Sequence, residues 1–428
     1  MTEQTKRRIL VTLIILSVLP SALLPVAPTH FTLQTTTLYL STITGYIGVM
    51  FLLWMYMLGA RSVFGLLFHD LAPVMRIHKW LGKYGSVMIL LHPLFVLISY
   101  GESLLYPLVP HISSAFERHV TLGRISFYLI VGIWIGSVLL RKQLGYRTWK
   151  YIHYLAYISL PFALLHIPGT GSQFASHTTL RVYYFGVVLL FFVFTLVRIR
   201  GWINADTYTA TVRDHQSAAE NGYVLRVDMP AGAMVAQPGQ YVYIKRGFIS
   251  EAHPFSVVAA NGSSLWLAYR AVGRYTEFLL DLAPGDHVEI SRPYGEFLTP
   301  LASSSLPPVF IAGGIGITPF MQTLMDEKQT QKPWLFYANR SRASTLFAPA
   351  LAHKLGSHCV EIYSDEPKPG PSEVSGFITP ELIKQRLVSP GNYNYFICGP
   401  TAMMEHVAST LAALNVPKAQ IHREAFEF

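Results

Sequence analysis

Two histidine pairs stand in or at the edge of apolar, membrane-length stretches of the chain. His78 and His92 are fourteen residues apart, His153 and His166 thirteen. At 1.5 Å rise per residue each gap spans about 20 Å of helix, most of a hydrocarbon core. Each stretch therefore sets one imidazole near one membrane face and one near the other. Two such helices side by side present two His/His pairs stacked across the bilayer, each suited to hold one haem iron between neutral ring nitrogens. A lone intramembrane histidine is usually a packed polar group, but two matched pairs mark function, because polar side chains in lipid are expensive. On an ideal helix a gap of fourteen returns to within about 40° of the starting direction, and a gap of thirteen does not. Pro161, between His153 and His166, is expected to kink or unwind its helix and correct the phase. Gly85, midway between His78 and His92, and Gly82 leave room either for a flat macrocycle or for a close neighbouring helix.

The elements that must position these residues follow from composition. The chain has 428 residues, 51% hydrophobic and 13% charged, but that average joins two unlike parts. The first two hundred residues read as six spans: Ile9–Val26, Thr37–Ala60, Trp80–Tyr100, Leu122–Leu140, Tyr151–Ile167 and Leu180–Val197. The first follows Lys6, Arg7 and Arg8 but lacks a convincing cleavage site, so it reads as a retained helix. Basic residues gather in the loops of one side, among them Arg61, Arg76, Lys79, Lys83, Arg141, Lys142, Arg147, Lys150, Arg198 and Arg200. The other side has little beyond Arg118, Arg124 and Arg181. The positive-inside rule then predicts a multi-pass protein of the cell inner (plasma) membrane with both termini cytoplasmic.

The net charge of +9 is thus mainly a topology signal, and no recognition motif supports nucleic-acid binding. Two cysteines, Cys359 and Cys398, argue against a disulfide framework or an iron–sulfur cluster. His30, His111, His119 and His177 fall in or near the exposed loops and read as solvated surface residues. There is no internal repeat or lipidation motif, and no obligatory protein partner is evident.

From Asn204 the chain reads as soluble. Thr207–Arg213, Tyr223–Met229, Tyr241–Lys245, Ser256–Ala259, Leu265–Tyr269 and His287–Ser291 are short strand-like runs separated by Asn-Gly, Pro-Gly-Gln and Pro-Gly-Asp turns. Such spacing predicts an antiparallel barrel. After Pro300 the order becomes strand, glycine loop, helix: Pro308–Ala312, Gly313–Gly316, Pro319–Glu327, then Trp334–Ala338 and Tyr395–Cys398. That alternation predicts a parallel α/β nucleotide-binding domain. The expected domains are 1–203, 204–303 and 304–428.

Within the barrel, His253-Pro254-Phe255-Ser256 offers ring contacts for a flavin, and Gly273-Arg274-Tyr275-Thr276 offers donors for a pyrophosphate. Gly313, Gly314, Gly316 and Thr318 lie in a glycine loop that aims N–H groups at a dinucleotide, with Pro319 at the following helix start. Cys398-Gly399-Pro400 follows a strand at its carboxyl end, where ligands sit in open α/β sheets. Arg340 and Arg342 could pair with a 2′-phosphate and favour NADPH, or lie in a solvated loop.

Six spans with paired histidines, then HPFS, GRYT, RPYGEF, GGIGITPF, CGP and a terminal aromatic, resemble the NADPH oxidase/ferric reductase superfamily along essentially the whole chain. GRYT has tyrosine where the family usually has tryptophan. The resemblance implies a six-helix transmembrane haem bundle, an antiparallel FAD-binding β-barrel and a Rossmann-like NADPH-binding domain. It implies that His78 with His153 ligates a cytoplasmic-side haem b, and His92 with His166 an outer one. His253 to Ser256 and Arg274 to Thr276 would contact FAD. Gly313, Gly314, Gly316, Thr318 and Cys398 to Pro400 would form the nicotinamide nucleotide site, and Phe428 would cover the flavin ring. Electrons would pass from NADPH through FAD and two haems b to oxygen or a ferric chelate across the lipid bilayer, with no EF-hand regulation, as in a prokaryotic-like oxidase. A quinone or a periplasmic partner protein is a further candidate acceptor. The reading of another class is a histidine-lined proton channel or transporter with a nucleotide-sensing domain.

Overall fold

Among the described residues five helices are long and apolar enough to cross a membrane: α2 (Leu33–Leu58), α3 (Pro73–Tyr100), α4 (Ala115–Leu139), α5 (Tyr146–Thr170) and α6 (Thr178–Gly201). They are preceded by α1 (Glu3–Leu23). The computed structural model describes residues 3–68, 71–202, 207–247, 250–328, 332–366, 370 and 373–424. A sixth span was expected at Ile9–Val26. Helix α1 ends at Leu23, and any 18-residue stretch of it carries Lys6, Arg7 and Arg8, so it lacks the uninterrupted apolar length of the other five. It docks on its neighbours through polar contacts: Trp54 Nε1 donates to Ser17 Oγ at 2.7 Å, and Ser21 hydrogen-bonds the Tyr183 hydroxyl at 2.7 Å.

The helix starts are written locally. Thr32 caps α2 in a reciprocal capping box with Thr35, and Ser114 caps α4 with Glu117. Each box satisfies N–H groups that a helix start leaves open. Both histidine-bearing helices depart from ideal winding. A π turn, Leu81–Gly85, separates His78 from His92 in α3. In α5 the α winding breaks at Leu155, whose N–H bonds Ile152 three residues back at 3.1 Å. The irregularity expected at Pro161 therefore lies at Leu155, while Pro161 sits inside continuous helix. A proline's ring clashes with the carbonyl four residues earlier, here Tyr157, so its strain falls toward the break rather than on itself. Helix α3 packs mainly on α2, and α5 on α4.

The chain divides into two compact units, Met1–Ile199 and Arg200–Phe428. In the second, β1 (Thr207–Ala219), β2 (Gly222–Asp228), β3 (Tyr241–Lys245), β4 (His253–Asn261), β5 (Ser264–Arg270) and β6 (His287–Ser291) close into an antiparallel barrel in the order β1-β2-β5-β4-β3-β6. Its hairpins turn at Asn221-Gly222 and Asn261-Gly262, with Asn221 and Gly262 in the left-handed region (φ 53° and 59°). Alternate residues such as Val242, Ile244, Val288 and Ile290 point inward and are buried.

The second sheet is wholly parallel: β7 (Pro308–Gly313), β8 (Trp334–Asn339), β9 (Cys359–Tyr363), β10 (Glu373–Ser375), β11 (Asn394–Cys398) and β12 (Ile421–Glu424), ordered β10-β9-β8-β7-β11-β12. Val309 and Ile311 bury one face of β7 while Phe310 and Ala312 bury the other. A strand covered on both sides reads as a continuous apolar run. The helix expected over Pro319–Glu327 is instead a 3₁₀ segment, Gly314–Phe320, followed by one turn of α-helix, Met321–Leu324. Pro319 lacks the N–H that α winding would use, and the tighter coil results.

Candidate functional site

The four intramembrane histidines meet as two pairs. The ring centres of His78 and His153 are 6.0 Å apart with planes at 62°, and those of His92 and His166 are 6.2 Å apart at 80°. Two imidazoles bound to opposite sides of one metal ion put roughly 2 Å from each nitrogen to the metal and about 1 Å from nitrogen to ring centre, hence about 6 Å between centres. Among the described residues there is no group of three His, Cys, Asp or Glu that could hold a bare metal ion. Two-residue ligation suits an iron whose other positions a macrocycle fills.

Hydrogen bonding fixes how these rings are protonated. Nδ1 of His92 lies 2.8 Å from the Ser41 carbonyl, Nδ1 of His166 2.8 Å from the His119 carbonyl, and Nδ1 of His78 3.1 Å from the Met55 carbonyl. A carbonyl only accepts, so Nδ1 carries the proton and Nε2 keeps its lone pair. His153 is set mainly by packing: its ring stacks on Trp149 at 5.2 Å, with Ser137 Oγ 3.4 Å from Nδ1.

Two of those three carbonyls belong to a helical residue four positions before a glycine that faces the ring served, Ser41 with Gly45 and His119 with Gly123; Met55 also stands four before Gly59, but a Cβ there would meet Arg198. A helical side chain lies over the turn N-terminal to its own Cα, so residue i+4 shields carbonyl i from a neighbouring helix. Glycine uncovers it. A Cβ on Gly45 would stand 2.9 Å from His92 Nδ1, and one on Gly123 2.5 Å from His166 Nδ1. His119 repeats the device in reverse: its Nδ1 bonds the Leu165 carbonyl at 2.8 Å, and Gly169, four residues on, faces its ring. His119 thus ties α4 to α5 rather than being a merely solvated loop histidine. Gly85 and Gly82 face Phe51 and Met55 of α2, where they serve helix packing.

In the second unit, His253 stacks on Tyr275 at 3.8 Å, and Phe255 lies 6.2 Å from the same ring. The Tyr275 hydroxyl donates to the Ile244 carbonyl at 2.8 Å, and burial raises its pKa, so it stays neutral. Pro254 and Ser256 follow in β4, with Ser256 buried. The Thr276 hydroxyl lies 3.1 Å from the N–H groups of both Val272 and Gly273 and donates to the Gly273 carbonyl. It closes the start of the next helix, whose first turn carries exposed Arg274 and Glu277.

The strand order reverses between β7 and β11, and the glycine loop and Cys398-Gly399-Pro400 lie there side by side, with Cys398 paired to Ala312. Such a reversal opens a crevice at the strands' carboxyl ends. A Cβ on Gly316 would fall on the Cys398 carbonyl, and one on Gly313 would meet Pro400 at 2.9 Å. Gly314 takes φ +56°. The Thr318 hydroxyl is buried and donates to the Ile315 carbonyl at 2.9 Å. Burial holds the Cys398 thiol well above the usual thiol range, so it is neutral at physiological pH.

Two family models match the chain: the ferric reductase like transmembrane component over residues 44–164, and the oxidoreductase NAD-binding domain over residues 310–409. The chain fits the NADPH oxidase/ferric reductase superfamily. It is an NAD(P)H-dependent flavoprotein oxidoreductase with a membrane domain. Among its relatives, the electron transfer subunit of dihydroorotate dehydrogenase B (NAD(+)) from Desulforamulus reducens is 28% identical over 219 residues, 50% of this chain and 81% of that one. A flavohemoprotein from Rhizobium meliloti is 27% identical over 256 residues, 54% of this chain and 62% of its own length. Among solved structures, the FAD/NAD-binding domain of a nitric oxide dioxygenase from Vibrio cholerae aligns at TM-score 0.47 and 24% identity, covering 52% of this chain and 99% of that one. A flavohemoglobin from Malassezia yamatoensis aligns at TM-score 0.48 and 17% identity, covering 87% and 99%.

The two arginines after β8 differ in surroundings. Arg342 forks onto Glu366 and Glu373, which hold its guanidinium above its usual range and the Glu373 carboxyl below its own. Arg340 is exposed. Sequence reasoning passed over Asn339, the last residue of β8, whose side-chain amide is buried beside Tyr337. A buried amide at the carboxyl edge, beside the glycine loop, suits a polar ligand. Phe428 lies outside the described residues.

Proposed function

We propose that the chain carries electrons across a membrane, from NADPH through FAD and two haems b to an acceptor on the far face, with oxygen the first candidate and a ferric chelate the second. When bound, FAD accepts a hydride and the haems hand electrons on singly. The observation that carries the proposal is the histidine geometry: two ring pairs about 6 Å apart, three of the four rings presenting Nε2 with Nδ1–H held on a backbone carbonyl. His78 and His153 would hold the haem nearer the basic loops, His92 and His166 the other. The positive-inside asymmetry supports cytoplasmic termini, and the flavin unit would lie on that side. Gly313, Gly314, Gly316, Cys398, Gly399 and Pro400 would seat the nicotinamide nucleotide, with Arg340 rather than Arg342 toward a 2′-phosphate because two carboxylates already neutralise Arg342. His253, Phe255, Tyr275 and Arg274 would contact FAD.

The test is haem quantitation of the purified full chain and of His92→Ala and His166→Ala. The expected ratio is two haems in the wild type and one in each variant, with NADPH-driven flavin reduction retained. A colourless wild type, or an unchanged ratio in both variants, overturns the reading. Superoxide yield against ferric-chelate reduction in one NADPH-driven preparation separates the two acceptors.

A further inference from the structure

The cavity beside His92 and His166 is lined by residues carrying two buried polar atoms that have no partner among the described residues. It has a volume of about 240 Å³, and its walls are largely apolar, from Leu38 and Val49 of α2, Val96 of α3 and Phe127 of α4. Tyr46 and Arg124 also line it. Among the described residues neither the buried Tyr46 hydroxyl nor the buried Nη2 of Arg124 has a hydrogen-bond partner. Arg124 is only 9% exposed. Its Nη1 donates to the Val109 carbonyl, and its guanidinium lies 4.4 Å from the centre of the Tyr106 ring. Arg124 was counted among the loop charges of one membrane side, yet the structure buries it in α4. Among the described residues no carboxylate pairs with it.

A guanidinium stays charged, and a buried charge without a counter-ion is costly. The Tyr46 hydroxyl offers a second donor into the same space. Donors of this kind call for an anion that accepts from both, and the planar guanidinium suits a carboxylate. Position narrows the source. Arg124 stands nine residues into α4, about 13 Å along the helix from its first residue. It directly follows Gly123, whose missing side chain accommodates the His166 ring. The carboxylate must therefore reach the level of the histidine pair, inside the cavity.

We propose that Arg124 and Tyr46 form a carboxylate-binding site, and that its occupant is a propionate of the haem held by His92 and His166. This rests on the haem reading above. The other source of the same chemistry is a carboxylate chelate, such as ferric citrate, entering as acceptor. With the propionate as occupant, the guanidinium favours the reduced, less positive iron and slows haem loss.

The test uses the full-length protein, with redox titration followed by haem absorption and with transfer of haem to apomyoglobin. In Arg124→Gln the midpoint potential of one haem should fall while the other stays, and that haem should transfer about tenfold faster or more. Arg124→Lys should restore most of the potential, and Tyr46→Phe should shift it in the same direction by less. If Arg124→Gln does not fold, Arg124→Lys and Tyr46→Phe still decide the matter through graded loss. Unchanged potentials and transfer rates overturn the proposal. If instead KM for ferric citrate rises while oxygen reduction and both potentials hold, the site belongs to the acceptor. A wild type without haem defeats the broader reading and this one together, whereas two haems with unmoved potentials defeat only this one.

Discussion

Replacing Gly123 by alanine probes the proposed link between backbone and haem without changing a histidine. The new Cβ would lie 2.5 Å from His166 Nδ1, 2.7 Å from Cε1 and 2.9 Å from Cγ. Carbon and nitrogen atoms rest at about 3.5–4 Å, so the ring must retreat by roughly 1 Å. That movement takes Nδ1 out of the 2.8 Å bond to the His119 carbonyl and leaves a buried N–H unpaired. The loss costs about 1–3 kcal/mol. Removal of a hydrogen bond that orients a ligating histidine typically lowers affinity by about 10–100-fold. Haem bound by His92 and His166 should therefore be held about 10–100-fold more weakly, while the His78–His153 site keeps its own. The control is Gly132→Ala, on the same helix, where a Cβ meets nothing within 4 Å. Competitive haem transfer, followed by absorption of the two haems, measures the difference. Equal retention and identical spectra in Gly123→Ala and Gly132→Ala would refute the role given to the glycine.

Gly316→Ala places a Cβ on the Cys398 carbonyl, where backbone cannot yield. Stopped-flow flavin reduction by NADPH should slow by about 100-fold, the cost of misplacing reacting groups by about 1 Å, while FAD content stays; an unchanged rate would separate the loop from the nucleotide. Arg340→Ala should raise KM for NADPH by about tenfold, the loss of one charge-assisted bond, and leave NADH unaffected. Arg342→Ala should alter the NADPH/NADH ratio less, and steady-state kinetics with both nucleotides checks the pair. Burial pushes the Cys359 thiol up to about 12 from an ordinary value of 9.0. Between those values the folded chain keeps a proton that the unfolded chain gives up, so stability is full below pH 9 and falls as pH rises. Denaturant unfolding of Cys359→Ala across that window should show a flatter pH dependence than the wild type.

What the sequence made legible follows the range of the interactions involved. Asn221-Gly222 and Asn261-Gly262 mark hairpins because the turn geometry needs residues at or beside those positions that tolerate positive φ. The apolar run Val309–Ala312 reads as a strand covered on both faces, and β7 is one. The partnering of His78 with His153 and of His92 with His166 follows from depth alone, since each helix carries one ring near each end. Harder to see is anything decided by a neighbouring helix. Gly85 reads equally as cofactor space or as packing until Phe51 is found opposite it. Arg124 looks like a loop charge because hydropathy averages over a window, and a single buried arginine is lost in that average.

The glycines opposite the histidines show why part of such a site stays hidden and how it becomes readable. Gly45 and Gly123 contribute nothing polar, and each lies more than forty residues from the histidine it serves. Yet the physical demand on them is local: a carbonyl is open to a neighbouring helix when residue i+4 lacks a side chain. Three histidines, His92, His119 and His166, place Nδ1 on a carbonyl that obeys this spacing and face the glycine that opens it. A histidine in a membrane span therefore implies an acceptor carbonyl on an adjacent span, and a glycine at mid-span marks where that carbonyl lies. Pro168 provides the complementary case. It has no N–H to occupy the Leu164 carbonyl, and the Tyr184 hydroxyl donates there instead at 2.9 Å. In both cases the residue that matters is the one that leaves the acceptor open. Gly45 and Gly123 thus turn a helix backbone into the group that sets which nitrogen of each histidine carries the proton.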